Sequence, residues 1–247
     1  MGKLLIISGP SCVGKSPLKA ALARLYPEVW NRFSEVILFN SRSPRPAERD
    51  GVDYHFRPRQ VIEELRRDER YAVLEARGDL QALDVCELHQ RLRDGDAFYE
   101  GNPFVGSLLL EHPALRELET LSLFVAPLSK REIRFLREPH RHVSLPDFVA
   151  DVMRRKLLRR TRCQKGILSQ PDLQNIEKRA CSAYDELKMA SRFDWVVPNH
   201  DGEDSENWSA FYYPVGDAFC TLQAVVTFLT QSQPPERAER WDDAVLP

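Results

Sequence analysis

The segment from Ser8 to Leu18 has residue types and spacing that suit phosphate binding. It reads SGPSCVGKSPL, which contains the pattern G-x-x-x-x-G-K-S directly after the apolar run LLII. In such a loop the backbone N–H groups surround phosphate oxygens, the lysine reaches the β- and γ-phosphates, and the serine hydroxyl binds Mg²⁺. The pattern therefore predicts a nucleotide phosphate site with Mg²⁺ at Ser16, formed by Gly9, Pro10, Ser11, Cys12, Val13, Gly14, Lys15 and Ser16.

The elements that flank this loop support the prediction. A strand is predicted over 4–8, and the segment PLKAALARLY after Ser16 has helical spacing. A helix that begins beneath the loop adds a favourable dipole for an anion. The alternative is a glycine-rich turn between strand and helix. That alternative explains the two glycines but not a lysine and a serine in register.

A second motif lies between Ser41 and Phe56 and reads SRSPRPAERDGVDYHF. Arg42 and Arg45 are three residues apart and flank a proline, which keeps the backbone extended. Guanidinium groups bind phosphate oxygens in a bidentate manner, so this pair suits a second phosphate group. The alternative is a solvated basic loop that leads into a hairpin, with VDYHF as a short strand.

Together the two motifs resemble the guanylate kinase family. That family carries G-P-S-G-x-G-K-S, followed by T-R-x-P-R-x-G-E-x-x-G-x-D-Y-x-F. This chain matches the first motif at Gly9-Pro10-Ser11 and Gly14-Lys15-Ser16. It matches the second at Arg42, Pro44, Arg45, Glu48, Gly51, Asp53, Tyr54 and Phe56. A third likeness is the run IEKRACSAYDELKMASRFDWVVPNHD, which matches the closing segment of the family, K-R-L-x-x-A followed by F-D-x-V-I-x-N-D-D.

The resemblance implies a P-loop kinase fold, a three-layer α/β/α parallel sheet with an insertion that binds a nucleoside monophosphate and an enlarged helical lid. It implies transfer of the ATP γ-phosphate to GMP with Mg²⁺. Lys15, Arg42 and Arg179 would be catalytic. Arg42, Arg45 and Tyr54 would hold the acceptor phosphate, Glu75 would read the guanine edge, and Asn199 would lie beside the adenine.

The sequence departs from the family mainly at the acceptor site. Leu38 stands where the family has a guanine-contacting serine, and Asp84 falls near the place of a phosphate-binding tyrosine, where a carboxylate would repel phosphate. Glu100 is a further acid whose register is open. The long segment 138–171 contributes several candidates for a second lid arginine, namely Arg137, Arg141, Arg159, Arg160 and Arg162.

Two further functions therefore stay open from sequence. One is an ATP-dependent kinase of another phosphorylated small molecule, which the altered acceptor positions favour. The other is a guanylate-kinase-like binding module with little catalysis. The intact Gly14-Lys15-Ser16 run argues against the module, since a module without catalysis has no physical need for a phosphate loop.

Composition is typical of a cytoplasmic enzyme that binds neither nucleic acid nor membranes. The chain has 247 residues, a net charge of −2 and five cysteines without a C-x-x-C pair. No apolar run approaches the ~20 residues of a membrane span. The pattern does not indicate an oligomeric state.

Alternating elements predict a single α/β domain. Strands are predicted over 4–8, 36–39, 96–101, 120–126 and 193–199. Helices are predicted over 17–26, 58–68, 84–93, 104–118, 146–162, 172–190 and 216–231. We assign a core to about 1–35, 94–137 and 190–232, an acceptor-binding insertion to about 36–93, a lid to about 138–189 and a loose tail to 233–247.

Overall fold

A computed structural model describes residues 2–44, 48–76, 78–231 and 233–246. Arg45, predicted to bind the acceptor phosphate, lies outside the described residues. The strands are β1 (Leu4–Ser8), β2 (Phe33–Glu35), β3 (Phe39–Asn40), β4 (His55–Phe56), β5 (Tyr71–Ala76), β6 (Asp79–Asp84), β7 (Asp96–Gly101), β8 (Thr120–Ala126) and β9 (Trp195–Pro198).

The α-helices alternate with these strands. They are α1 (Lys15–Leu25), α2 (Pro27–Trp30), α3 (Arg59–Glu64), α4 (Val85–Asp94), α5 (Pro103–Glu111), α6 (Lys130–Leu136), α7 (Leu145–Lys165), α8 (Gln170–Cys181), α9 (Ala183–Lys188) and α10 (Gly216–Thr230). Contacts divide the chain into two compact units. The first comprises the residues up to Ile6 and Arg32–Leu121, and the second comprises Ile7–Asn31 and Ser122–Pro247.

The first unit carries two groups of strands. In one, β2, β7 and the Leu4–Ile6 part of β1 are neighbours in that order, and β2 runs parallel to β7. In the other, the order is β4-β3-β6-β5, with β3 parallel to β4 and antiparallel to β6, and β5 antiparallel to β6. The mixed sheet is therefore built around the β5–β6 hairpin.

The strand predicted over 36–39 is wrong in its bounds. Residues 33–35 pair with β7, whereas residues 39–40 pair with β4 and β6. The chain passes from one group of strands to the other between these segments, so the apolar run VILF is not one strand. The hairpin of β5 and β6 was not predicted from the sequence.

One face of the mixed sheet packs against α3. Ile62 of α3, Leu80 and Ala82 are fully buried together, with Phe39 and Val73 packed against them. Burying side chains of this size stabilises the fold by roughly 1.5–3 kcal/mol each. This cluster defines the α3 side of the β5–β6 hairpin.

The second unit is built on β1, β8 and β9. The Ile7–Ser8 part of β1 neighbours β8, and β8 runs parallel to β9, with Phe124 opposite Val196 and Val125 opposite Val197. Phe124 and both valines are fully buried. Parallel strands buried on both faces consist of near-continuous apolar runs, as LFVA and WVV do here.

Three helices form most of the predicted lid. On α7 the buried residues Leu145, Val149, Met153 and Leu157 recur every four positions, which places them on one face. That helix packs against α8 and α9. The helix predicted over 172–190 is interrupted at Ser182, whose hydroxyl donates to the Arg179 carbonyl and lies 2.6 Å from a Glu186 oxygen. The helix predicted over 104–118 ends earlier, at Glu111, because Pro113 follows.

The segment predicted to be a loose tail contacts the second unit. The backbones of Glu239 and Val196 exchange two hydrogen bonds of 2.8 Å. Trp241 is buried, and its ring N–H donates to the Glu239 carboxylate, which also accepts from the Lys130 N–H. Loose attachment is therefore wrong for this part of the tail. The composition PPERAERWDD is polar, and only Trp241 signals docking.

Among the described residues, none of the helices is both long enough and apolar enough to cross a membrane.

Candidate functional site

The loop predicted to bind phosphate connects β1 to α1 in the second unit. Gly14 precedes α1 with φ 102°, and a Cβ there would lie 2.5 Å from Nδ2 of Asn199. A side chain at position 14 would therefore be strained and would collide with Asn199. Gly14 thus directly precedes the N-terminus of α1, where an anion is favoured.

Lys15 and Ser16 begin α1. Lys15 is buried, and its ammonium donates to the carbonyls of Gly9 at 2.9 Å and Pro10 at 2.8 Å. The side chain is thus folded back onto the loop. Ser16 is exposed at the start of the helix. Binding of phosphate by Lys15 and of Mg²⁺ by Ser16 stays a prediction.

Binding of Mg²⁺ at this loop stays a prediction for Ser16. The described residues contain no group of three or more His, Cys, Asp or Glu side chains arranged to hold a metal ion. Mg²⁺ usually keeps several waters and takes few protein ligands beside phosphate oxygens. The exposed Ser16 hydroxyl is compatible with such a role.

Arg179 lies on α8 and reaches the phosphate loop. Its Nε donates to the Ser11 hydroxyl at 3.1 Å. A lid guanidinium and the loop lysine are therefore attached to the same short loop, and the catalytic roles of Lys15 and Arg179 stay predictions.

Asn199 follows β9 and is fully buried. Its Nδ2 donates to the carbonyls of Val13 at 2.8 Å and Asp201 at 2.6 Å, and its Oδ1 accepts from the Asp201 N–H at 3.1 Å. These contacts tie the phosphate loop to the segment after β9. Contact with adenine stays a prediction for this residue.

That segment also places two carboxylates at the phosphate loop, which sequence reasoning missed. Glu203 Oε2 accepts from the Gly14 N–H at 3.0 Å. The Asp204 side chain is 4% exposed and lies 3.7 Å from both Lys156 and Arg159 of α7. The run GEDSEN contained the acids, but no spacing rule links them to a loop some 190 residues earlier.

The loop cysteine is not activated. Burial, and next the negative charge of Glu203, raise the pKa of the Cys12 thiol to about 12. The thiol therefore stays protonated at neutral pH, and Cys12 acts as a small packed residue of the loop.

The candidates for a second lid arginine differ in their surroundings. Arg137 donates to the Val245 carbonyl, Arg141 pairs with Glu138, Arg159 lies near Asp204, and Arg162 is exposed. Arg160 has its Nε buried with no hydrogen-bond partner among the described residues, and its charge acts on Cys12. Arg160 is thus the candidate that lies beside the phosphate loop with hydrogen-bonding capacity to spare.

In the first unit, Arg42 is the centre of the predicted acceptor-phosphate site. Its guanidinium forms two hydrogen bonds of 2.6 Å with Glu48 and lies 5.2 Å from the Tyr54 ring and 5.4 Å from the Phe56 ring. The Arg42 N–H donates to Asn40 Oδ1 at 3.1 Å. The structure therefore brings Arg42 and Tyr54 together, with Glu48 fixing the orientation of the fork.

Glu75 lies on the face of the β5–β6 hairpin that packs against α3. It pairs with Leu80 across the strands, on the side that packs against α3, and lies 3.5 Å from Arg59 of that helix. Asp79, whose charge acts on Arg42, pairs with Ala76 and projects to the opposite side. The structure does not bring Glu75 to Arg42, and its reading of guanine stays a prediction.

Asp84 has a structural partner. It accepts from the Glu87 N–H at the start of α4, and Arg70 donates two hydrogen bonds to it, at 2.9 and 2.5 Å. Burial alone would raise the pKa of Asp84, but the Arg70 contacts outweigh this effect and lower it. Repulsion of an acceptor phosphate by a free Asp84 charge, as expected from sequence, is therefore reduced by Arg70. Leu38 is buried and apolar, as the sequence implied.

Comparisons with known proteins point to guanylate kinases. A family model described as guanylate kinase matches residues 1–77. The chain is 27% identical over 203 residues to a guanylate kinase of Bacillus cereus, covering 82% of each chain. It is 31% identical over 134 residues to the guanylate kinase of Bacillus subtilis, covering 54% of this chain and 63% of the relative.

A solved guanylate kinase from Anaplasma phagocytophilum superimposes with a TM-score of 0.54 at 16% identity, covering 96% of this chain and 89% of that one. The fold is thus a mixed α/β fold of the P-loop kinase type. The chain is therefore similar to guanylate kinases both in sequence and in fold.

Proposed function

We propose that the protein is a nucleoside monophosphate kinase of the guanylate kinase type, which converts ATP and GMP to ADP and GDP. The observation that supports this most directly is the joint attachment of Lys15 and Arg179 to one phosphate loop. Phosphoryl transfer requires mainly positioning and neutralisation of charge, and these two cations provide both at the donor phosphates.

The donor half of the reaction belongs to the second unit. On ATP binding, Lys15 exchanges its bonds with the Gly9 and Pro10 carbonyls for phosphate oxygens. Arg179 leaves the Ser11 hydroxyl and neutralises charge on the transferred group. Ser16 would hold Mg²⁺, which would supply further charge neutralisation when bound.

The acceptor half belongs to the first unit. Arg42 binds the acceptor monophosphate together with Tyr54, and Arg45 is predicted to join them. An ionised oxygen of that phosphate attacks the γ-phosphorus, the bond to the β–γ bridging oxygen breaks, and ADP leaves with its electron pair. Because the attacking oxygen is already ionised, no general base is needed.

A second candidate function keeps the transfer from ATP and changes the acceptor to another phosphorylated small molecule. Two observations favour it. Leu38 is a buried apolar residue, and Glu75 lies on the α3 side of the hairpin with Arg59. Guanine binding would then lack two of the partners that the family resemblance implies.

The test is ATP consumption by purified protein with Mg²⁺ and GMP, dGMP, AMP, CMP or UMP, with Lys15→Ala and Lys3→Ala as a matched pair. Lys3 is a surface residue paired with Glu119 and should be neutral when replaced. Turnover with GMP that is lost in Lys15→Ala supports the first function. Turnover only with another acceptor supports the second, and failure to bind Mg-ATP would favour a binding module and contradict both.

A further inference from the structure

Tyr99 in β7 is a buried residue that the fold does not explain. It is 2% exposed, and its hydroxyl has no hydrogen-bond partner in the part of the chain that the structure describes. Leaving a buried polar group unpaired is unfavourable, and native structures contain few such groups. A phenylalanine would fill the same space without this disadvantage, so the hydroxyl calls for a functional explanation.

The chain leaves room for this hydroxyl. A Cβ at Gly101 would lie 2.0 Å from the Tyr99 oxygen. Gly101 is not among the glycines with positive φ, so its backbone conformation is open to other residues. Glycine is required there because any side chain would occupy the position of the Tyr99 hydroxyl.

The surroundings of Tyr99 connect it to the predicted acceptor site. Gly101 is the last residue of β7, a parallel strand, and ligands of α/β folds bind beyond the carboxyl ends of such strands. Tyr99 interacts electrostatically with Tyr54 and Glu100, and Tyr54 stacks under the Arg42 guanidinium. The Tyr99 hydroxyl lies over Gly101 and so at the carboxyl end of β7, the edge where an acceptor is expected to bind.

We propose that Tyr99 is a specificity-determining residue for the acceptor, and that its hydroxyl donates a hydrogen bond to a carbonyl oxygen on the base of a nucleoside monophosphate. This inference rests on the proposed kinase function and extends it to the choice of acceptor. Burial, followed by the charges of Tyr54 and Glu100, raises the pKa of Tyr99 well above its usual value, so the hydroxyl stays a donor. GMP and UMP present a carbonyl oxygen where AMP and CMP present an amino group.

The test compares Tyr99→Phe with wild type on GMP, UMP, AMP and CMP. We expect wild type to prefer GMP or UMP. In Tyr99→Phe, the KM for the preferred acceptor should rise about tenfold and the preference should flatten, with the KM for ATP unchanged. The melting temperature of Tyr99→Phe should equal or exceed that of wild type, because the variant removes an unpaired buried hydroxyl.

Tyr26→Phe is the matched control. The Tyr26 hydroxyl accepts from Gln223 Nε2 at 2.7 Å in the second unit, so its loss should lower the melting temperature and leave acceptor kinetics unchanged. If wild type is active and the acceptor KM of Tyr99→Phe is unchanged, the inference about Tyr99 is overturned and the kinase function is not. A Tyr99→Phe protein that is less stable or unfolded would do the same, since the hydroxyl would then be structural. A wild type that neither binds nor phosphorylates any of the four would also overturn the proposed nucleoside monophosphate kinase function.

Discussion

The carboxylate of Glu203 accepts a hydrogen bond from the backbone N–H of Gly14 at 3.0 Å. In a phosphate loop this N–H faces phosphate oxygens, so an anionic side chain occupies a donor position that the nucleotide requires. Asp204 is the neighbouring residue and lies 3.7 Å from Lys156 and Arg159. The segment after β9 therefore places one carboxylate at the Gly14 N–H and another beside two cations of α7.

Replacing Glu203 by glutamine should tighten Mg-ATP binding. ATP has to displace Glu203 from Gly14, and the neutral amide is a weaker competitor for the N–H than a carboxylate. We expect the Kd of Mg-ATP to fall about three- to tenfold in Glu203→Gln, measured by titration calorimetry. Glu206→Gln alters an exposed acid of the same segment and serves as the control. An equal or weaker affinity in Glu203→Gln would show that the carboxylate does not compete with phosphate.

Arg160 should contribute more to turnover than Arg162. Arg160 has a buried Nε without a partner among the described residues and acts on the phosphate-loop cysteine, whereas Arg162 is exposed two residues further along α7. Removing a cation that stabilises transferring phosphate lowers turnover by about 100-fold or more. We expect this in Arg160→Ala and less than a twofold change in Arg162→Ala, from steady-state kinetics with saturating ATP. Similar turnover in the two variants would show that Arg160 does not act at the donor site.

Local signals made part of this architecture predictable. The strands over 4–8, 96–101 and 120–126 are confirmed, because each is an apolar run bounded by polar residues. The phosphate loop follows from its own spacing and flanking elements. Glu203 at Gly14 could not be predicted, since it depends on how a loop after β9 folds back.

The faces of the β5–β6 hairpin depend on register. A strand shifted by one residue would exchange its two faces, and the sequence does not fix that register. The placement of Glu75 with Arg59 was therefore beyond prediction.

The position of Glu75 predicts that its replacement affects the acceptor little. The residue pairs with Arg59 on the α3 side of the hairpin, and both side chains are about half exposed. An exposed ion pair of this kind contributes only about 0–1 kcal/mol to stability. We expect Glu75→Gln to change the KM for the accepted monophosphate by less than twofold. A rise of about tenfold or more would instead support the guanine-reading role that the family resemblance implies.

Acid should destabilise the second unit through the carboxylates around His200. Its Nε2 lies 2.8 Å from Glu132, and its Nδ1 contacts Asp217. Burial would raise the pKa of Glu132, but hydrogen bonds from Ser129 and the contact with His200 outweigh this and lower it. For Asp217, burial is likewise outweighed by His200 and Arg237, and its pKa is lowered.

A carboxyl group with a lowered folded pKa stabilises the protein above its unfolded pKa of about 4, and this contribution disappears as pH falls through the folded pKa. We expect the free energy of unfolding to decrease steadily from about pH 5 to pH 3. Glu132→Gln should be less stable than wild type at pH 7, and the two should converge in acid. Urea unfolding at a series of pH values measures this, and a constant difference at every pH would contradict it.

Trp241 should stabilise the second unit although it belongs to a polar terminal segment. Its ring is buried at 7% exposure, and the guanidinium of the neighbouring Arg240 lies 4.3 Å from the Trp195 ring centroid. The Glu239 carboxylate is shared between the Trp241 ring N–H at 2.7 Å and the Lys130 N–H at 2.9 Å. Removing the indole leaves a cavity and one unpaired acceptor position.

Replacement of a buried tryptophan by alanine costs about 3–5 kcal/mol in a protein core, and a site near a chain end recovers part of this by relaxation. We therefore expect Trp241→Ala to lower the free energy of unfolding by about 2–3 kcal/mol. Asp243→Ala changes an exposed residue of the same segment and should stay within about 0.5 kcal/mol of wild type. Urea unfolding monitored by circular dichroism compares the two variants. Equal unfolding midpoints for Trp241→Ala and Asp243→Ala would show that Trp241 does not stabilise the second unit.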